Sequence, residues 1–371
     1  MHACGIILAG GSNNKLGSLI KTRTNSAMPV ACSYRAIDFA LSNMSNSGIN
    51  KIAVVTQYNS RSLNDHINSS KWWNIGRKNS GIFVFTPYAT DHNQPWYRGT
   101  ADSIYQNLNF LERSHNKYVV IVNGDGIYKM DYNDIINSHI NNNADITVAV
   151  KEFQEDEVDA TKYGNVIVDE NNNILEFEEK PLEKISNTLS IGVYVMEREL
   201  LIDLVKTVVS EGRFDFVNDI VLRYRRHMKL SAYKFNDYWM ALNSVNSYFE
   251  ISKLFLNNDF RDSMFNTFPY IMTKNKDVPP AKYNYKATVK NSLIGNGCII
   301  DGHVEGSTLF RSVKIGENAI VKNCIIMEGS VVGEDCHLEY VIIDKNVKIS
   351  NFTKYIGSED DIKILDKNRK V

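Results

Sequence analysis

The chain has 371 residues, 43% of them hydrophobic, with 42 Lys plus Arg balanced by 43 Asp plus Glu. That length points to about two domains, and the charge balance argues against a nucleic-acid or membrane partner held by bulk charge. Cys4, Cys32, Cys298, Cys324 and Cys336 are dispersed without a C-x-x-C pair, which argues against a disulfide framework or a zinc site and suits a reducing compartment.

The opening MHACGIILAGG lacks a basic n-region and a long apolar stretch. No apolar run approaches the ~18 residues of a membrane span. A cytoplasmic protein is expected.

In the first half, short β-branched runs alternate with helical patterns. CGIILA (4–9), KIAVVTQ (51–57), YVVIVNG (118–124) and DITVAV (145–150) suit strands buried on both faces of a parallel sheet. Helices are expected over 34–47, 60–68, 101–113 and 132–143, which makes βαβ units of a doubly wound sheet. Ligands in such sheets bind at the carboxyl ends of strands, so the loops after Leu8, Thr56 and Val122 are the places to look. YGNVIVDENNNILEFEEKP (163–181) reads as a hairpin, and SIGVYVME (190–197) as a further strand. Helices are expected again over 200–210, 214–226 and 244–255.

Residues 257–285 hold Pro269, Pro279 and Pro280 and no clean period. They are taken as a linker between a domain over 1–256 and one over 286–371. Beyond them LIGNGC, KIGENA and VVGEDC repeat an aliphatic-Gly-acidic/Asn hexad, the signature of a β-helix. Aliphatic residues should fill its interior and glycine its corners.

The stretches YRAIDFALSNMSNSGI (34–49), TQY (56–58), WYRGTADSIYQN (96–107), GDGIYKMDY (124–132) and EEKP (178–181) resemble the ADP-glucose pyrophosphorylases, or glucose-1-phosphate adenylyltransferases. The resemblance runs through nearly the whole chain, in order. It implies a Rossmann-like mixed α/β sheet of the nucleotidyltransferase type followed by a C-terminal left-handed β-helix. It also implies an oligomer and, in the active members, Mg²⁺-dependent formation of ADP-glucose and pyrophosphate from ATP and glucose 1-phosphate.

The chain departs from the family pattern on the phosphate and metal side. The loop G-G-x-G-T/S-R-L is here Gly10-Gly11-Ser12-Asn13-Asn14-Lys15-Leu16. Asn13 can keep the turn but fills space where backbone N–H groups would meet phosphate, and Lys15 lacks the bidentate fork of Arg. A Lys-Pro-Ala pattern is replaced by Asn25-Ser26-Ala27. Asp125 matches one Mg²⁺ carboxylate; its alternative is a helix cap. The second, in Y-W-x-D-V-G-T, has become Ala241, which cannot coordinate a cation that requires oxygen ligands.

On the sugar side the match is kept. Gly164, Glu179, Lys180, Ser190, Tyr194, Asp215, Phe216 and Trp239 fall on family sugar-site positions, and Lys180 corresponds to the lysine that pairs with the sugar phosphate. Gln57 and Trp96 fall on loops that couple nucleotide and effector sites, and Gly99 and Thr100 on the turn near the base. Thr100 would also serve as a helix N-cap. His115, His139 and His303 are read as surface or packing residues.

Damage confined to the ATP side implies a non-catalytic or weakly catalytic regulatory subunit of the GlgD type. It would pair with a catalytic adenylyltransferase subunit in a hetero-oligomer, a tetramer by family precedent, of glycogen biosynthesis, and would bind a sugar-phosphate substrate or effector. Lys15 and Asp125 are then vestigial catalytic residues, the ATP site is degraded and Mg²⁺ binding is doubtful. The alternative is an active adenylyltransferase with a degenerate phosphate and metal site. A β-helix acyltransferase using His303 or His337 is remote, because it leaves the first domain unexplained.

Overall fold

A computed structural model describes residues 3–11, 14–76, 80–88, 96–155 and 157–371, the side chain of Asn14 excepted. Contacts divide the chain into two compact units. One comprises Met1–Gly11, Phe39–Ser60 and Ile67–Trp239; the other comprises Ser12–Asp38, Arg61–His66 and Met240–Val371. No helix among the described residues is long and apolar enough to cross a membrane.

The first unit is built on a nine-stranded sheet. Its strands are β1 (Ala3–Leu8), β2 (Lys51–Val55), β3 (Gly81–Phe85), β4 (Tyr118–Asn123), β5 (Ile146–Glu152), β6 (Gly164–Val168), β7 (Ile174–Glu179), β8 (Thr188–Glu197) and β9 (Leu230–Lys234). The order is β7-β6-β8-β4-β1-β2-β3, with β5 pairing both β8 and β9. β4, β1, β2 and β3 run parallel, which explains the unbroken apolar runs of β1, β2 and β4: both faces are covered. β8 runs antiparallel to both β4 and β5, so the sheet is mixed and the run at 145–150 does not join a wholly parallel array.

Two expected helices differ in detail. The stretch 101–113 is two helices, Thr100–Tyr105 and Leu108–Glu112. Asn107 sits between them, and its amide donates to the Ser103 carbonyl at 2.8 Å and to the Tyr97 hydroxyl at 2.9 Å. In the stretch 214–226 the middle turn, Val217–Leu222, is a π-helix. Ahead of it the Asp219 carboxylate accepts from the backbone N–H groups of Phe214 and Asp215. The interior of this unit is one apolar cluster in which Ile6, Val55, Val119, Ile121, Val148, Val166, Met196 and Phe216 are all buried.

In the second unit three parallel five-stranded sheets wind as a left-handed β-helix. Ile300, Ile315, Val332 and Ile349 stack in one sheet, Val304, Val321 and Leu338 in the next, Leu309, Ile326 and Ile343 in the third. All ten are buried. Glycine holds only some of the corners. Ser312, Gly329 and Asn346 form one left-handed column, and Asn318, Asp335 and Phe352 another, repeating at the 17-residue step that separates Asn318 from Asp335. Asn and Asp tolerate this conformation through local side-chain hydrogen bonding. Helices Val245–Leu254 and Asn258–Phe265 precede the coils, the second lying inside the stretch read as linker. Ser244 opens the first with a capping box closed by Ser247, satisfying two otherwise orphaned N–H donors.

Candidate functional site

The carboxyl ends of β1, β2 and β4 lie side by side, as a doubly wound sheet requires. Ala9 N–H donates to the Val55 carbonyl at 2.8 Å, and Gly124 N–H to the Leu8 carbonyl at 3.0 Å. A Cβ on Gly10 would sit 3.4 Å from Gln57 N, whereas one on Gly11 would meet nothing within 4 Å. The first glycine therefore packs at contact distance and the second faces open space. Gln57 carboxamide grips the backbone of Tyr97, accepting from its N–H at 2.6 Å. Trp96, half exposed, stands edge-on to Tyr58 with its indole N–H 2.9 Å from the phenol oxygen. Lys15 is exposed in the 3-10 segment Asn14–Ile20. Asn13, and the side chain of Asn14, lie outside the described residues.

Asp125 occupies the turn after β4. It does not cap the following helix, Tyr132–Asn141; Asp131 does, accepting from Asn133 N–H at 2.9 Å. The Asp125 charge, behind burial and the neighbouring Tyr132, helps hold Tyr128 protonated well above the usual phenol range.

A connected set of side chains forms at the positions that the resemblance assigns to the sugar. Glu179, at the end of β7, is paired in register with Gly164 on β6. A Cβ there would meet Phe177 at 2.5 Å and Glu179 Oε2 at 2.8 Å, so glycine at 164 is what lets the carboxylate approach. Lys180 follows in a left-handed conformation, φ 51°. Its N–H donates to the Tyr163 carbonyl at 3.1 Å and its exposed ammonium pairs with Glu179 at 3.0 Å. On β8, Ser190 Oγ lies 3.3 Å from the Tyr194 hydroxyl, across a bulge at Gly192. Burial, with the Glu179 and Asp215 charges, pushes the Tyr194 phenol far up, so it stays a donor.

Thr100 closes this set, though not as the N-cap its position suggests. Gly99 is the cap residue and the Thr100 side chain makes no capping bond. Its hydroxyl instead accepts from Phe216 N–H at 2.7 Å and donates to Asp215 at 3.3 Å. The loop approaches so closely that a Cβ on Gly99 would lie 2.4 Å from the Phe214 carbonyl oxygen. Phe216 packs edge-on against Tyr194 with centroids 5.2 Å apart. Trp239 packs edge-on against Tyr163 and Phe153, and its buried indole N–H has no hydrogen-bond partner among the described residues. A buried donor of this kind is costly unless a ligand or water meets it.

In the second unit, Asn25 and Ser26 are buried in the 3-10 turn Asn25–Ala27. The cations near them in sequence are engaged by carboxylates of the β-helix segment. Lys21 pairs with Asp366 at 3.1 Å and Arg23 with Asp344 at 2.5 Å. Ala241 is nine-tenths buried and offers a metal only a methyl group. Among the described residues no group of three or more His, Cys, Asp or Glu is placed to hold a metal ion.

This second unit contains a cavity that motif reading did not anticipate. It is partly open to solvent and its lining includes Arg35, Lys274, Lys276, Arg311, Lys345 and Glu328. His66 also reaches it, and its ring is fixed by a 2.6 Å contact with buried Asp38. These residues come from six separate stretches, and only Arg35 falls inside a motif that the sequence singled out. Burial pulls the Arg35 guanidinium down from its ordinary range, and Lys345 to about 8. This is the cost of collecting cations in a covered space.

The profile of the family described as "Nucleotidyl transferase" matches residues 4–258, and that of "GlmU-like, C-terminal hexapeptide" matches residues 279–367. Relatives include proteins named glucose-1-phosphate adenylyltransferase from Bacillus mycoides (strain KBAB4), Bacillus cereus (strain Q1) and Bacillus anthracis. Each is 35% identical over 351 residues, covering 94% of this chain and 93% of the relative. With a mixed nucleotidyltransferase sheet, a hexapeptide β-helix and identity spread across almost its full length, this chain belongs to the glucose-1-phosphate adenylyltransferase family.

Proposed function

We propose that this chain is a non-catalytic or weakly catalytic regulatory subunit of a bacterial glucose-1-phosphate adenylyltransferase, of the GlgD type, serving glycogen synthesis. It works in a hetero-oligomer, a tetramer by the family's precedent, whose catalytic partner forms ADP-glucose from ATP and glucose 1-phosphate. The observation that carries this reading is Ala241, a buried methyl where the family pattern has its second Mg²⁺ carboxylate. Nucleotidyl transfer rests on positioning and on neutralising phosphate charge, and losing one such electrostatic element typically costs roughly 10²–10³ in rate.

The sugar-side chemistry supports the same reading. Glu179, Ser190, Asp215 and the unpartnered Trp239 N–H offer hydrogen-bonding groups for sugar hydroxyls, and exposed Lys180 offers a cation for a phosphate. The Thr100 bridge to Asp215 and Phe216 holds that arrangement rigid. The cation-lined cavity of the second unit offers a place for a sugar-phosphate effector. Regulation then follows from effector binding that favours one of two states of the assembly, which requires differential affinity for those states.

The decisive measurement is ADP-glucose formation by the isolated chain with Mg²⁺, and by a catalytic family member with and without it. The expected result is background turnover alone and a shifted effector response in the mixture. Turnover alone that matches a catalytic family member, and is abolished by Asp125→Ala, would establish instead the second reading, an active enzyme with a degenerate site.

A further inference from the structure

The cationic cavity of the second unit already contains an anion, supplied by the chain itself. Glu328 is the sole carboxylate among the described residues that line it. Its two oxygens are divided between two ammonium groups: Oε1 accepts from Lys276 at 2.6 Å and Oε2 from Lys345 at 3.1 Å. One oxygen to each cation is how a phosphate would engage the same pair. The other cations are satisfied differently. Arg35 donates to the Ser62 carbonyl, Arg311 to the Ser33 carbonyl and Lys274 to the Asp65 carbonyl. Backbone carbonyls help to place these groups, and Arg35 also feels the Asp38 charge.

We infer that Glu328 is a tethered counter-anion that occupies two lysines of an anion site, so that a phosphate-bearing ligand binds by displacing it. This rests on the reading of the cavity as an effector site. The cavity carries five fixed cations, Arg35, Lys274, Lys276, Arg311 and Lys345, with His66 at its edge and Asp38 behind it, against one resident carboxylate. A singly charged anion gains little over Glu328, which is already in place and loses no translational freedom. A ligand with several phosphate oxygens and more charge gains more, because it can engage Lys276 and Lys345 together with the two arginines. Glu328 therefore sets both the threshold affinity of the cavity and its preference for multiply charged anions.

The test is calorimetric titration of the full chain with inorganic phosphate and with pyrophosphate at fixed ionic strength. Wild type, Glu328→Gln, Glu328→Asp, Arg311→Ala and Glu328→Gln/Arg311→Ala are compared, with thermal melts to show that each is folded. Glu328→Gln is expected to bind phosphate at least about tenfold more tightly than wild type and to narrow the preference for pyrophosphate. Glu328→Asp should stay close to wild type, and the double variant should lose the gain. Equal phosphate affinity in wild type and Glu328→Gln, both lost on Arg311→Ala, overturns the tethered-anion inference and leaves the effector cavity standing. Binding that ignores Arg311, or no binding in any variant, overturns the effector reading of the cavity itself.

Discussion

Arg23 and Asp344 form a 2.5 Å ion pair with both side chains almost completely withdrawn from water. Arg23 also points a second nitrogen at the Met327 sulfur. Breaking such a pair from one side leaves a buried charge without its partner. Asp344→Ala is expected to cost about 3–5 kcal/mol, read from urea denaturation. Arg23→Met combined with Asp344→Leu should recover most of that loss. A loss under 1 kcal/mol for Asp344→Ala would show that solvent reaches the guanidinium.

Restoring the family pattern on the phosphate side tests the proposal that these departures silence the chain. Ala241→Asp with Asn13→Gly, Lys15→Arg and Asn25→Lys should raise pyrophosphate release by the isolated chain by roughly 10²–10³. Asn25 is buried, so the variant needs a thermal melt beside the assay. A folded variant that stays at background places the defect elsewhere.

Gly99→Ala forces a Cβ into the Phe214 carbonyl, and the backbone there cannot yield without moving Thr100 away from Asp215 and Phe216. Overpacking of this kind typically costs about 1–3 kcal/mol. Glucose 1-phosphate binding, measured by calorimetry, should weaken with it. Gly11→Ala, with open space around it, is the matched control and should change stability by less than about 0.5 kcal/mol.

The sheet was legible in sequence where both faces are covered: β1, β2 and β4 are unbroken aliphatic runs. β3 was not, because it is only partly buried along its length and follows a stretch without clear periodicity. The break at Asn107 and the π turn at 217–222 depend on side-chain bonds to Tyr97 and to the backbone at 214–215, which no local pattern encodes. The positions that the resemblance assigns to the sugar were easy to locate because a hairpin and one strand carry most of them within fixed motifs. The cationic cavity was not, since Arg35, Lys276, Arg311 and Lys345 are far apart in the chain and each reads alone as a solvated charge.

Acid stability should report the Glu328 pair. Burial alone would push its carboxyl up, but Lys345 and Lys276 outweigh that and hold it at about 2, against an ordinary value of 4.5. A carboxylate depressed in the folded state contributes stability that is present above the ordinary value and lost as pH falls toward the depressed one. Wild type should therefore lose stability between pH 4.5 and about 2 more steeply than Glu328→Gln. Parallel acid melting curves would show that the pair contributes nothing.

All five cysteines are buried and free, and burial raises each thiol, Cys324 to about 12. Thiolate is the reactive form. A chromogenic thiol reagent at pH 8 should titrate almost none of them in the folded chain and all five after denaturation. Rapid reaction of one thiol in the folded chain would reveal local opening.

The left-handed columns at 312, 329 and 346 and at 318, 335 and 352 make chain length in the β-helix a quantised variable. Loss of one residue inside a coil would turn every later side chain to the wrong face, whereas gain or loss of a whole coil leaves each column aligned. Extra residues enter at the corners: Ile299 pairs with Lys314 but Lys314 with Val331, a coil two residues longer, and the last coil is longer still. There Val341 pairs with Lys363, and the added length is looped out beyond Ile356. Length variants of this segment should therefore fall into two groups, whole coils and loops at corners, with nothing between.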